Sequence, residues 1–143
     1  MAEFAPDPAF EAGSRAAGEL PLCHVRLQDD ARYPWVILIP RQTGLVELSD
    51  LGAADRARLM EETVLAGEMV RELAALDGAP IDKLNVGALG NVTAQLHVHV
   101  VGRRRGDDAW PGPVWGAGTA RAYSSQALAL RLSALSRRLC PEG

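Results

Sequence analysis

Residues 22–27 alternate in polarity. Cys23, Val25 and Leu27 fall on one face and His24, Arg26 and Gln28 on the other, which predicts a half-buried strand. A polar connector, 29–33, leads to the unbroken apolar run from Trp35 to Ile39, stopped by Pro40. Such a run suits a strand covered on both faces, and the two strands are expected to pair as a hairpin. Upstream, residues 8–17 predict a short helix. Downstream, Gly52 is an acceptable N-cap, Asp55 puts negative charge in the first turn, and no Pro or Gly pair interrupts the chain before Asp77-Gly78, so one long helix is predicted there. Met60, Val64, Leu65, Gly67, Met69, Leu73 and Leu76 give it a broad apolar surface, and Arg56, Arg58, Glu61, Glu62, Arg71 and Glu72 are expected in solvent. Residues 81–88 alternate again, with Leu84 and Val86 opposed to Lys83 and Asn85, and a glycine-flanked turn at 87–91 returns the chain to the next segment. That return is expected to bring Asn85 near His97. A Trp/Pro/Gly-rich loop fills 110–118, and Ser124 or Ser125 caps a final helix reaching about Leu139.

Composition narrows the class. With 143 residues, 48% hydrophobic and 23% charged, the chain reads as one domain with a real core. A net charge of -3 argues against a general nucleic-acid coat, and no apolar run approaches membrane-spanning length. The beginning of the chain is acidic and proline-bearing rather than signal-like, so the cytoplasm is the expected compartment, with Cys23 and Cys140 as reduced thiols.

The candidate chemistry lies in residues 95–101, Gln-Leu-His-Val-His-Val-Val, which hold two of the three histidines. At strand spacing Gln95, His97 and His99 share a face, opposite Leu96, Val98 and Val100. Neighbours on one face are roughly 6.5 to 7 Å apart, so the two imidazoles can grip one anionic group, such as a phosphate, without touching each other.

This segment resembles the signature of the histidine-triad (HIT) nucleotide-binding family, His-φ-His-φ-His-φ-φ with φ apolar. Six of the seven positions match, and Gln95 stands in place of the first histidine. The likeness covers about residues 20–115, where Leu27-Gln28-Asp29, Trp35 to Arg41, the long helix and the turn from Asn85 to Gly90 follow in the order of Hint-like members. It implies an α+β fold, with an antiparallel sheet of about five strands, one long helix and a C-terminal helix, and a homodimer. It also implies a hydrolase or transferase acting at the α-phosphate of a purine nucleotide or nucleotide conjugate, of the nucleoside phosphoramidate or dinucleoside polyphosphate class. His97 is then the nucleophile that forms a nucleotidyl-histidine, with its ring oriented by the backbone carbonyl of Gln95, and His99 contacts phosphate or leaving group. Asn85 and Asn91 correspond to phosphate contacts and Asp29 to a ribose contact. Trp110 and Trp115 offer flat faces for a base or leaving group, or else fill a core or interface. No cofactor or metal is implied for the chemical step, and neither a nucleic acid nor a membrane is an expected partner.

Three other readings stay open. Gln95 fits a nucleotide-binding module with weak or lost turnover. His97 and His99 can be strand histidines that only make surface hydrogen bonds. A His-x-His pair is also a common metal-ligand pair, able to recruit Cys23 and His24 if the sheet brings them close. His24 alone is expected to be a solvated strand residue, and Arg103, Arg104 and Arg105 a solvated strand end.

Overall fold

The computed structural model describes residues 3–140. Five strands, β1 (Ser14–Glu19), β2 (Cys23–Gln28), β3 (Trp35–Pro40), β4 (Lys83–Gly87) and β5 (Val98–Arg103), form one antiparallel sheet in the order β1-β2-β3-β5-β4. Two helices complete the α+β fold, α1 (Ala53–Leu76) and α2 (Ser125–Ser136). Among the described residues no helix is long and apolar enough to cross a membrane.

The predicted hairpin forms, with Cys23 opposite Pro40 and Leu27 opposite Val36. β3 is buried along its whole length, as its unbroken apolar run requires. Alternation then divides the sheet into two faces. Cys23, Val25, Leu27, Val36, Leu38, Val98 and Val100 pack against Leu59, Ala66, Met69, Val70 and Leu73 of α1 and Leu135 of α2. Each fully buried side chain of this kind, such as Met69 or Leu73, contributes about 2 kcal/mol by leaving water. A Cβ on Gly67 would stand 2.8 Å from Leu84 Cδ1, so the missing side chain lets α1 lie close on the sheet. The opposite face carries a second cluster of Phe10, Tyr33, Trp35, Ile37, Ile39, Val101 and Val114.

Several expectations are corrected. The helix expected over 8–17 is a 3₁₀ turn, Pro8–Ala12, followed by β1, because Gly13 ends the turn and the edge of β2 offers a ladder. β1 has a bulge between Ala16 and Gly18, where a Cβ on Gly18 would collide with the Cys140 carbonyl. The apolar surface of α1 is only partly covered: Met69 and Leu73 are buried, but Met60, Val64 and Leu76 are exposed. Glu62 is not solvated. It is buried and accepts hydrogen bonds from the Leu22 N–H at 2.8 Å and the Cys23 N–H at 2.9 Å, which satisfy the carboxylate where β2 begins. Burial, followed by the charge of Glu62, pushes the Cys23 thiol well above its ordinary range.

Candidate active site

β3 and β5 pair with Ile37 opposite His99 and Trp35 opposite Val101, so these four residues share the face that carries the second cluster. Gln95 and His97 precede the ladder rather than belonging to it, since β5 begins at Val98. The Leu96 N–H is held instead by the Leu45 carbonyl, 3.0 Å away. Freed from strand pairing, the His97 ring leans onto His99, with centroids 4.9 Å apart and planes at 72°. The expected gap between the imidazoles is therefore closed, and an anion must meet their edges rather than sit between them.

Both rings have defined tautomers. His97 Nδ1 is 2.7 Å from the Gln95 carbonyl oxygen, which can only accept, so Nδ1–H donates and the neutral ring leaves Nε2 with a free lone pair. The Trp35 indole N–H donates to His99 Nδ1 at 3.0 Å, so the neutral His99 ring carries its proton on Nε2. Burial, reinforced by the adjacent His97, lowers the His99 pKa to about 4 and keeps the ring neutral at pH 7. One imidazole thus offers a lone pair and its neighbour a donor.

Both histidines line a cavity of about 390 Å³ with Trp35, Gly90, Asn91, Thr93, Val114 and Trp115. Trp115 sits edge-on to His99, with centroids 5.5 Å apart. A Cβ on Gly87 would approach the Trp115 ring to 2.9 Å, so a glycine opposite His99 is what admits the indole. The far wall holds a buried ion pair. Burial alone would raise the Asp30 pKa, but hydrogen bonds from the Arg32 side chain and from the Arg32 and Arg121 backbone hold it below the usual carboxylate range. Arg32 Nη2 lies 2.8 Å from Asp30 Oδ2, and Nη1 donates to the Ala117 carbonyl, which fixes the loop that carries Trp115.

Of the residues singled out by sequence, His97, His99, Asn91 and Trp115 meet at the cavity. Asp29, Asn85 and Trp110 do not line it. Asp29 accepts from the Tyr123 N–H at 2.8 Å and anchors the approach to α2. Asn85 pairs with Val101 rather than lying beside His97, and its side-chain oxygen accepts from Arg103 Nη1 at 2.8 Å. Trp110 lies beneath the Arg103 guanidinium, 5.7 Å from its ring centroid. Gln95 contributes its carbonyl to the site, while its side chain turns to residues 5 and 7.

Two expectations of solvation are reversed. Arg103 is buried and paired with Asp107 at 2.8 Å. His24 is buried between Glu19, 3.0 Å from its Nδ1, and Arg26, 3.2 Å from its Nε2. Cys23 lies on the α1 side of the sheet, and among the described residues no third His, Cys, Asp or Glu joins the His97–His99 pair as a metal-ligand cluster. Sequence reasoning missed Trp35, Gln28, Asp30 and Arg32 as cavity residues. Period-two counting from Ile37 would have put Trp35 on the histidine face, but only once β3 was known to pair with β5.

A HIT domain model matches residues 9–106. No curated protein matches the chain. Among solved structures, a histidine triad protein from Bradyrhizobium japonicum is 37% identical, with 96% of this chain and 99% of that one covered and a TM-score of 0.87. A histidine triad protein from Sinorhizobium meliloti is 38% identical, with 95% and 97% covered and a TM-score of 0.86. One from Marinobacter aquaeolei is 37% identical, with 97% and 100% covered and a TM-score of 0.87. With the family model spanning most of the chain and the fold shared nearly end to end, this protein belongs to the HIT family.

Proposed function

We propose that the protein is a nucleotide hydrolase or transferase that cleaves nucleoside phosphoramidates or dinucleoside polyphosphates at the α-phosphorus through a nucleotidyl-His97 intermediate. HIT membership supports the nucleotide-binding hydrolase or transferase class. The observation that carries the finer reading is the pair of opposite tautomers at His97 and His99. His97 Nε2 attacks phosphorus, the N–P bond forms, and the bond to the leaving group breaks with its electron pair going to that group. An amine leaving group takes its proton from water. His99 Nε2–H hydrogen-bonds the charge that develops on phosphate oxygen, as does the Asn91 side-chain amide. Water then attacks phosphorus, the His97 N–P bond breaks, and the water's proton passes to solvent. A cavity of about 390 Å³ falls within the ordinary range for small-molecule sites, and Trp115 supplies an aromatic wall for a purine or a leaving group.

The active form in this reading is a homodimer. Met60, Val64 and Val86 are more than half exposed and rim an apolar groove of about 650 Å³ between α1 and β4, next to the sheet edge. A second copy seated there buries this surface. Sedimentation should give a dimer for the native chain and a monomer for Val64→Glu, and a native monomer overturns the assignment.

The activity is tested by incubating the protein with adenosine phosphoramidate and diadenosine polyphosphates. Nucleotide release that disappears in His97→Ala supports the reading. Nucleotide binding without any His97-dependent release replaces it with a binding module.

A further inference from the structure

Gln95 occupies the place of the first motif histidine, and its side chain does not line the cavity. Its Oε1 accepts from the Asp7 N–H at 2.7 Å and its Nε2 donates to the Ala5 carbonyl at 3.0 Å. The intervening Pro6 has no N–H, so a group with one donor and one acceptor on the same short arm is what residues 5–7 require. A primary amide has that form. A carboxylate lacks the donor, and an imidazole holds its two nitrogens on a rigid ring where they diverge.

The segment held in this way leads directly to the nucleophile. The Asp7 side chain accepts from the Ala9 N–H and, with Pro8 next, starts the 3₁₀ turn Pro8–Ala12. That turn buries Phe10, whose ring stands edge-on to His97 with centroids 4.8 Å apart and planes at 80°. Beyond Phe10 the strap is pinned again, because Ser14 Oγ donates to the Phe10 carbonyl at 2.6 Å and accepts from buried Arg26 Nε at 2.7 Å. His97 is thus enclosed by Phe10 on one side and His99 on another, with Nδ1 tied to the Gln95 carbonyl.

We propose that Gln95 is a positioning residue whose side-chain amide straps residues 5–10 across the sheet, so that Phe10 holds the His97 ring with Nε2 directed at the cavity. The role in catalysis rests on the reading of His97 as nucleophile; the strap itself does not. Gln95 is then a different support for the nucleophile, and not a weakened catalytic histidine. Restoring the motif with Gln95→His breaks the strap and slows the reaction.

Proton NMR of the ligand-free protein tests the strap without any substrate. Loss of the Phe10 ring current in Phe10→Ala should move the His97 Cε1–H resonance. Gln95→His should move it the same way, the double variant should move it no further than Phe10→Ala, and amide exchange at Asp7 should rise about tenfold or more. Gln95→Glu, which keeps the size and loses one bond, should give a smaller shift in the same direction and stands in if the histidine variant does not fold. A His97 resonance unmoved by both Gln95 variants, or shifts that simply add to that of Phe10→Ala, overturns the proposal. In turnover, Gln95→His should lower kcat about tenfold with KM little changed. A rate gain contradicts the positioning role even where the strap is confirmed by NMR.

Discussion

On the helix side of the sheet, Val25, Leu27, Leu38 and Val100 meet Met69, Val70 and Leu73 with essentially no exposed surface. On the histidine side, Ile37 and Ile39 share the buried face with His24, Arg26 and Arg103, and the cover comes from a 3₁₀ turn and loops instead of a long helix. Apart from buried Glu62 and its two N–H partners, the first side relies on non-directional contacts that any well-sized apolar residue can supply. The second depends on donors finding acceptors, because a buried polar group left unmatched costs more than an average hydrogen bond contributes. His24, Arg26, Arg103 and both cavity histidines are matched, whereas the Tyr33 hydroxyl and the Trp115 indole N–H are buried without a partner among the described residues. Packing sets the fold from one side, and matched hydrogen bonds fix two imidazole rings on the other.

Changes on the two faces should therefore fail in different currencies, activity on one and stability on the other. The largest effect is expected at His97. His97→Ala removes the lone pair proposed to attack phosphorus and should cut kcat/KM for adenosine phosphoramidate by about 10⁴-fold or more, far beyond what the loss of one buried ring and its bond to the Gln95 carbonyl costs in stability. Glu62→Ala, on the helix side, should do the reverse. It leaves the Leu22 and Cys23 N–H groups buried and unmatched, and urea unfolding should show a loss of about 3 kcal/mol with turnover per folded molecule preserved.

A pH titration reads one contribution to stability that does come from the histidine side. The folded pKa of His99, about 4, lies below its ordinary value near 6.5, so between those values the unfolded chain binds more protons. The stability due to a neutral His99 is complete above pH 6.5 and is lost as pH falls towards 4. Denaturant unfolding should show about 2 kcal/mol less stability from this group at pH 4.5 than at pH 7, and His99→Asn should remove that part of the pH dependence. The smallest of these effects is expected for Trp35→Phe. It keeps an aromatic ring beside His99 but deletes the N–H that fixes its tautomer, and kcat should fall about tenfold with a loss of stability smaller than that in Glu62→Ala. Equal losses of stability and rate in Trp35→Phe would blur the contrast between the faces.

Legibility in the sequence follows the same division. α1, β2, β3 and β4 were visible because each has a period or an unbroken run that a single packing partner explains. β1 was not, because Ser-Arg-Ala-Ala-Gly-Glu has no β-branched residue and becomes a strand only through the ladder that β2 offers. His97 and His99 stood out by spacing, and the expected hydrogen bond from His97 to a backbone carbonyl at Gln95 is present in the geometry. The positions of Asp29, Asn85 and Trp110 depend on loop paths and on the β4–β5 register, which one residue of slip would change. Glu62, His24 and Arg103 were assigned to solvent by residue type. The partners of Glu62, the Leu22 and Cys23 N–H groups, lie 40 and 39 residues away, outside any local window. Glu19 and Asp107 lie only five and four residues from His24 and Arg103, but the burial of those pairs depends on the turn and loops that cover their face of the sheet, which local polarity does not reveal.

The covalent bond proposed between His97 and phosphorus can be observed directly. The direct test is intact mass after rapid mixing with adenosine phosphoramidate, quenched both in acid and at neutral pH because phosphohistidine is acid-labile, for the native protein and for His97→Gly. A mass increase of one nucleotide is expected in the native protein after the neutral quench and none in His97→Gly. Nucleotide release of equal rate in both proteins, or no adduct and no product while nucleotide still binds, would contradict the proposed bond.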